Sequence, residues 1–509
     1  MFRRLLIANR GEIAIRVART AREMGIHCVG VFSEADRGAL HRRAMDESLE
    51  IGGPLPADSY LNIAHVLRAA HQAGVEAIHP GYGFLSENPT FAARCAEEGF
   101  VFVGPPAEAL ALSGDKIAAR RTMSAAGVPV TQGVDRVIQS PDDAHVVAGE
   151  IGYPVLFKAT AGGGGIGMAR VDRPSELARA FEAARDVALA NFGNPDLFLE
   201  KFLQRARHVE IQVLVDARRA VGFVERECSV QRRHQKLVEE TPSPAVSRAL
   251  RSRLIDVAVR GLQAMRYRNA GTVEFLLHDR RFTFNEVNAR LQVEHPITEA
   301  VTGVDLVRQQ LRIAAGDGLE VSPSEVAHRG HAIECRVNAE DPIRNFLPSP
   351  GRIVAYRAPS GPGVRVDSGV TDGSVIPPFY DPLVAKLIVH RRSRTLAIEQ
   401  MRRSVDAFEI RGIHTNLPFH RAILRTSAFT RGDLWTTMVA DLRIAEKIRG
   451  RGPWEERIAA IAAALVAADR LSMGPTFPVE RSPTSKWALA GRQSQLAGGG
   501  HAVPPRNRW

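Results

Sequence analysis

Glu286-Val287-Asn288-Ala289-Arg290-Leu291-Gln292-Val293-Glu294-His295 is the stretch on which the reading of this chain turns. Polar groups stand at every second position: Glu286, Asn288, Arg290, Gln292 and Glu294. The residues between them, Val287, Ala289, Leu291 and Val293, are small or aliphatic. A period of two predicts a β-strand, because successive side chains point to opposite faces. One face is core. The other carries carboxylates, amides and a guanidinium, roughly 6.6 Å apart along the chain. A solvated edge strand accounts for any one of these residues alone; the whole set reads better as the wall of an active site.

The residues upstream sharpen this reading. Gly271-Thr-Val-Glu274-Phe-Leu-Leu277 is a strand pattern, His278-Asp-Arg-Arg281 a turn, and Phe282-Thr-Phe284 a resumed strand, which together predict a hairpin. With an odd number of residues in the loop, Glu274 lies opposite Glu286. Two facing carboxylates repel unless a cation sits between them. Oxygen ligands of this kind, with Asn288 one step on, suit Mg²⁺ or Mn²⁺ whose shell is completed by nucleotide phosphates. The sequence therefore predicts a metal–nucleotide site.

Composition sets the outer bounds. A chain of 509 residues suggests two to four domains. It has no apolar run long enough to span a membrane. Met1-Phe-Arg-Arg-Leu-Leu-Ile-Ala8 enters a strand pattern at once and lacks the marks of a signal peptide. Cys28, Cys95, Cys228 and Cys335 are far apart and in no metal-ligand spacing, as expected for reduced thiols in a cytoplasmic protein. The net charge of +11 is spread along the chain without a nucleic-acid-binding motif, so it suits anionic ligands and an acidic partner better than nucleic acid. Only seven basic residues are lysines and 60 are arginines. A lysine inside a motif of such a chain marks a need for a compact ammonium.

Residues 4–110 alternate strand and helix patterns, a Rossmann-like βα domain without GxGxxG and hence without support for a dinucleotide. Within it, His79-Pro-Gly-Tyr-Gly-Phe-Leu-Ser-Glu-Asn88 is a Gly/Pro loop at a strand end carrying Tyr82 and Glu87. Val155-Leu-Phe-Lys158 is a strand running into a loop with five glycines in the six residues 162–167, whose bare N–H groups can wrap phosphate oxygens. Phe198–Leu203 reads as a hinge strand, His208–Val215 as a strand, and Gln231-Arg-Arg-His-Gln-Lys236 as a polar, cation-dense loop. Further strands follow between 330 and 440. Trp454–Leu471 is an Ala-rich helix pattern, and from Met473 onward a linker and a disordered tail are expected. The fold class expected is α/β and α+β, multidomain.

Taken in order, HPGYGFLSEN, the glycine loop after Lys158, HVEIQV, ECSVQRRHQK, EVNARLQVEHP, ECRVNAEDP and YDPLVAKL resemble the biotin carboxylase component of biotin-dependent carboxylases, within the ATP-grasp superfamily. The resemblance covers roughly residues 2–445. It implies an N-terminal domain at 1–114, an ATP-grasp domain at 115–328 with a mobile glycine-rich lid at about 130–203, a mixed α/β C-terminal domain at 329–446, and a helical extension with a flexible tail at 447–509. It implies that Lys116, Lys158, His208 and His234 bind ATP phosphates or ribose, and that Glu200, Lys201 and Leu203 hold adenine. Gly164 and Gly165 close over the phosphates. Glu274, Glu286 and Asn288 ligate two Mg²⁺ ions. Lys236, Arg290, Gln292 and the Val293 backbone hold bicarbonate, and Glu294 is the general base. Arg336 faces the biotin ureido oxygen and Tyr82 lies beside the biotin ring.

The activity so implied is carboxylation of biotin through carboxyphosphate, the first half-reaction of an acetyl-CoA, other acyl-CoA or pyruvate carboxylase. None of the seven lysines has a methionine on either side, so the biotin is expected on a separate carrier protein, with a separate carboxyltransferase polypeptide as second partner. A homodimer is expected from the family, and neither nucleic acid nor membrane is an expected partner. Ile166 stands where the family usually has Arg or Lys, with Arg170 the nearest substitute. The Trp454–Leu471 helix is the expected docking element for partners.

Overall fold

Five short parallel strands open the chain: β1 (Arg4–Ile7), β2 (His27–Phe32), β3 (Glu47–Glu50), β4 (Ala77–His79) and β5 (Val101–Phe102), in the order β3-β2-β1-β4-β5. The computed structural model describes residues 1–162, 165, 167–449 and 453–472. Helix α1 (Gly11–Glu23) follows β1 and buries Ile13, Ala14, Val17, Ala18 and Ala21. The strand order reverses between β1 and β4, the position at which open α/β sheets bind ligands. The loop carrying Tyr82 and Glu87 leaves the sheet there. Asn9, just after β1, donates through Nδ2 to the carbonyls of Pro80 (2.7 Å) and Tyr82 (2.8 Å). Gly81 is left-handed (φ +64°), and a Cβ on it would come within 2.8 Å of Asn9 Nδ2, so only glycine fits there.

The second body is a small antiparallel sheet of β6 (Val155–Ala159), β7 (Ala169–Val171) and β8 (Leu197–Lys201), with β6 in the middle. Helices Pro141–Ile151 and Leu177–Phe192 bury its apolar face around Phe157, Phe181 and Leu199. The glycine loop joins β6 to β7. Gly162, Gly165 and Gly167 all adopt left-handed φ, while Gly163, the expected phosphate-binding Gly164 and the atypical Ile166 lie outside the described residues.

The third body is one nine-stranded sheet. It contains β9 (Arg207–Val215), β10 (Ala220–Gly222), β11 (Arg226–Arg232), β12 (Gln235–Thr241), β13 (Asn269–His278), β14 (Arg281–Asn288), β15 (His331–Asn338) and strands Val364–Ser368 and Leu383–Arg391. Its order is β14-β13-β9-β11-β12-β15, then Leu383–Arg391 and Val364–Ser368, with β10 beside β9. Thus β12 pairs directly with β15, and the expected ATP-grasp and C-terminal regions share a single sheet.

Three sequence expectations are corrected. The alternating stretch is not one strand: β14 ends at Asn288, and Glu294 already caps helix His295–Thr302, whose second residue is Pro296. Arg290, Gln292 and Glu294 therefore reach the site from a turn rather than from a strand face. The hairpin loop is even, with Asp279 and Arg280 both left-handed between paired His278 and Arg281. Glu274 nevertheless faces Glu286, because a bulge at Asn285 shifts the register by one. Finally, Gln231–Lys236 is not a loop but the tip of the β11/β12 hairpin, turned by Arg233 and His234 at φ 50° and 65°.

Helix Pro453–Ser472, described by itself, coincides with the Ala-rich pattern and exposes Ile458, Ile461 and Leu465. The expected linker and tail beyond it lie outside the described residues. No described helix is long and apolar enough to cross a membrane. All four cysteines are buried and unpaired, and burial pushes the Cys28 and Cys95 thiols up to about 12.

Candidate active site

The β13/β14 hairpin brings Glu274 and Glu286 face to face. The two are unequally served. Glu274 accepts from Lys236 Nζ (2.9 Å), Asn288 Nδ2 (2.8 Å) and Gln292 Nε2 (3.1 Å) on one oxygen, and contacts His208 Nε2 (2.7 Å) with the other. Burial acts to raise its carboxyl, but Lys236 and His208 outweigh that and hold it well below the usual range. The same pairing raises His208, whose burial alone would lower it. The Glu286 carboxylate makes no hydrogen bond or ion pair among the described residues. Burial and the charge of Glu274 push its carboxyl up, only partly offset by Lys116 and Lys158. A carboxylate left short of positive charge beside a second carboxylate and an amide oxygen fits a hard divalent cation. His208, Glu210 and Cys228 also approach one another, but Lys236 and Arg226 already neutralise that corner.

Lys236, at the base of the β11/β12 tip, is the centre of the site. Its ammonium touches Glu210, Glu274 (2.9 Å) and Glu294 (2.7 Å). Burial alone would lower it, yet the three carboxylates hold it well above its ordinary value. Glu294 is 1% exposed; Lys236 binds one oxygen and Arg336 Nη2 the other (2.9 Å). Burial acts to raise the Glu294 carboxyl, but Lys236, Arg336 and Arg226 keep it well below the carboxylate range. Gln292 bridges Glu274 and the fully buried Arg226, which is also bound by Glu210, Gln212, Thr298 and Thr272.

Arg290 turns the other way. Its Nε meets Glu87 (2.9 Å) of the loop after β4, and Nη2 meets Asn288 Oδ1 (3.0 Å), which ties the N-terminal sheet to the site. The Val293 carbonyl accepts from Lys386 Nζ (2.9 Å), so its N–H is the atom left for an anion. Lys386 also pairs with Glu12 (3.1 Å), which accepts the Tyr82 hydroxyl. Asn416 Nδ2 (2.9 Å) and His420 Nε2 (2.8 Å) bind the carbonyl of Arg336 and fix its backbone.

The nucleotide side is looser. Lys158 reaches from β6 to Glu200 Oε2 (2.9 Å) and Asn285 Oδ1 (3.2 Å). Glu200 is also held by Arg120 (2.8 Å), and the Lys201 ammonium is spent on the carbonyls of Gly152 and Tyr153 (both 2.9 Å), so both side chains are already engaged, and the Lys201 N–H donates to the Gln132 carbonyl (2.7 Å). Leu203, two residues past β8, is half-buried. Lys116 is half-buried and its ammonium makes no hydrogen bond among the described residues; burial lowers that ammonium against the pull of Glu286. Gly165 lies against His234, where a Cβ would come within 2.6 Å of the His234 Cβ, so the glycine loop meets the hairpin tip. Arg170 is bound to Asp172 (2.9 Å) and stacked 4.5 Å over Phe202.

Residues 1–110 match the family described as biotin carboxylase, N-terminal domain; residues 115–322 match the ATP binding domain of the carbamoyl-phosphate synthase L chain; residues 334–441 match the biotin carboxylase C-terminal domain. A biotin carboxylase of Nostoc is 49% identical over 444 residues, covering 87% of this chain and 99% of that protein.

The chain belongs to the biotin carboxylase family.

Biotin carboxylase 1 of Bacillus subtilis is 47% identical over 439 residues, 86% of this chain and 98% of that one. The biotin carboxylase domain dimer of Hydrogenobacter thermophilus 2-oxoglutarate carboxylase, solved with MgADP, ADP and bicarbonate, superposes with a TM-score of 0.85 at 42% identity, covering 87% of this chain and 98% of that one. The Campylobacter jejuni biotin carboxylase gives the same TM-score and identity over 87% and 99%. This biotin carboxylase is an ATP-grasp ligase, and its reaction carboxylates biotin with ATP, Mg²⁺ and bicarbonate.

Several biotin carboxylase residues that hold the site were given no role by the sequence reading. Glu210, Arg226, Glu239 and Lys386 are buried ion-pair partners inside β-strands. Charged residues at inward positions of otherwise apolar strands were the signal that could have found them.

Proposed function

We propose that Glu294 removes the bicarbonate proton while Lys236, Arg290, Gln292 and the Val293 N–H hold the anion, and that Arg336 and Tyr82 receive the biotin. The observation that carries this reading is Glu294 clamped between Lys236 and Arg336, one oxygen on each. A carboxylate so bound is a weak base. Bicarbonate drawn to Lys236 and Arg290 would compete for the same donors, loosening the clamp and raising the basicity of Glu294. Lys116, Lys158, His208 and His234 would steady the phosphates, and Gly164 and Gly165 would cover them. Glu200, Lys201 and Leu203 would hold adenine. Glu274, Glu286 and Asn288 would hold Mg²⁺, which neutralises phosphate charge during transfer. Deprotonated bicarbonate would attack the γ-phosphorus of ATP and release ADP. The carboxyphosphate would break down to CO₂ and phosphate, and the phosphate would take the ureido N–H proton. The Arg336 guanidinium would stabilise the negative charge left on the ureido oxygen.

The domains divide at 1–114, 115–328, 329–446 and 447–509 in this reading, which the three family matches support in outline. Biotin comes on a separate carrier protein and leaves to a carboxyltransferase of an acyl-CoA or pyruvate carboxylase, in a cytoplasmic, homodimeric enzyme. The helix Pro453–Ser472, beyond the residues that match the three family descriptions, is a docking element for those partners.

ADP release from MgATP with free biotin, with and without bicarbonate, tests this. Turnover that needs both and disappears in Glu294→Gln supports it. Turnover indifferent to bicarbonate would point to another ATP-grasp substrate.

A further inference from the structure

Beneath Arg336 lies a pair of carboxyls that the mechanism above does not use. Glu239 on β12 and Glu334 on β15 are directly opposite in register, and both are fully buried. Directly opposed residues of an antiparallel pair bring their Cβ atoms within about 4.5–5.5 Å. Two full negative charges that close, away from water, are strongly disfavoured, so one of the two must carry a proton. The partners are divided unequally. Glu239 accepts from Arg336 Nε through one oxygen. Its other oxygen, and both oxygens of Glu334, are buried without a hydrogen-bond partner. The carboxyl that owns the guanidinium is the one that keeps the charge.

We propose that Glu239 is a positioning residue that aims Arg336, and that Glu334 is its neutral cross-strand partner, leaving one negative charge rather than two beneath the guanidinium. The proposal rests on the reading of Arg336 as the residue that meets biotin. Arg336 is held at Nε by Glu239 and at Nη2 by Glu294, while Asn416 and His420 pin its carbonyl. When bicarbonate engages Glu294, Glu239 is the contact that remains to fix the guanidinium plane. A second full charge from Glu334 would draw Arg336 down toward the sheet and away from substrate.

The surroundings agree with this division. The groups whose charge acts on the pair are Arg336 of β15, Lys236 of β12, Lys386 of the neighbouring strand and Glu294, with the Tyr82 phenol near Glu334. Burial holds Glu334 well above the carboxylate range, and Lys386 only partly offsets it. Burial pushes Glu239 up to about 7 against the attraction of Arg336. The working form of Glu239 is the carboxylate, so biotin carboxylation is expected to fall as pH drops through about 7.

The test compares kcat with free biotin, KM for ATP and the pH profile in wild type, Glu239→Gln, Glu239→Asp, Glu334→Gln and Arg336→Gln. Glu239→Gln is expected to lower kcat with biotin roughly 10- to 100-fold, the usual effect of losing an orienting partner, with KM for ATP nearly unchanged. It should also remove the acid limb near pH 7, which a merely structural loss would leave in place. Glu239→Asp should recover part of the rate, and stands in if Glu239→Gln does not fold. Glu334→Gln, isosteric with the neutral acid, should keep both rate and limb. A wild-type rate and limb in both Glu239 variants would overturn the proposal. So would a Glu334→Gln limb displaced to lower pH, because that would show Glu334 charged. Biotin turnover surviving in Arg336→Gln would instead overturn the reading of Arg336 on which the proposal stands.

Discussion

The two halves of the site differ in how completely their charges are matched. Around Lys236, every charged group has an opposite partner within hydrogen-bonding distance: Glu210, Glu274 and Glu294 on the ammonium, and Arg226 and Arg336 on their free oxygens. Around Lys116, the ammonium and the Glu286 carboxylate stand without hydrogen bonds among the described residues, and each is displaced in the direction of its neutral form. A paired cluster is a folded framework whose loss costs stability. An unpaired one waits for ligand, and its loss costs binding. The same residue types thus do opposite work in the two halves of one site.

Four measurements would break or sharpen this contrast. The largest effect belongs to Glu294→Gln, which should cut bicarbonate- and biotin-dependent turnover by roughly 10²- to 10⁴-fold, the usual range for a positioned base. Retained turnover would place the base elsewhere. Next is Arg226→Ala. It removes the guanidinium on Glu210 Oε1, the one cation there among the described residues, and should cost about 3–5 kcal/mol in urea unfolding, as breaking buried pairs does. A loss near zero would mean that the paired half is not the framework. Third, Lys116→Ala should leave unfolding within about 0.5 kcal/mol of wild type, as most changes outside the packed core do, while weakening ATP binding measured by calorimetry. Last and smallest, Glu286→Gln should leave the ligand-free melting temperature unchanged or slightly raised, because it relieves the repulsion from Glu274. It should also abolish the upward shift that MgATP gives the wild type.

The pH dependence follows the same division. Glu274 and Glu294 are held well below the carboxylate range in the fold, so the stability they lend is present above the unfolded value and is lost as pH falls through their folded values. Glu286 and Glu334 are displaced upward and act with the opposite sign: they weaken the fold as pH rises past the ordinary carboxylate value. Acid unfolding should therefore report the paired half.

Much of this was legible in the sequence because the chemistry is local there. The hairpin follows from two strand patterns and a short turn, but the opposition of Glu274 and Glu286 depends on the bulge at Asn285, which leaves no mark in the pattern. The alternation through Glu294 was misleading past Asn288, since a capped helix start, with Pro296 just inside, can present polar residues at the same spacing as a strand. The QRRHQK run looked like a loop because its residues are polar. They are polar because Lys236 faces carboxylates across the sheet while Arg233 and His234 make the turn. The pairing of Glu239 with Glu334, and of Glu87 with Arg290, joins residues 95 and 203 positions apart, a relation that periodicity does not carry.

The direct pairing of β12 with β15 sets how the polypeptide can be divided. Cutting the chain between the second and third matched regions would strip β12 of its neighbour from Val238 to Thr241, leaving a row of bare N–H and C=O groups beside apolar side chains. Such an edge recruits whatever strand it meets. Truncated at residue 328, the protein is expected to elute as aggregates, with its nucleotide residues all present in sequence. Recombination with relatives would have to exchange the whole span from β9 through Leu383–Arg391 as one cassette.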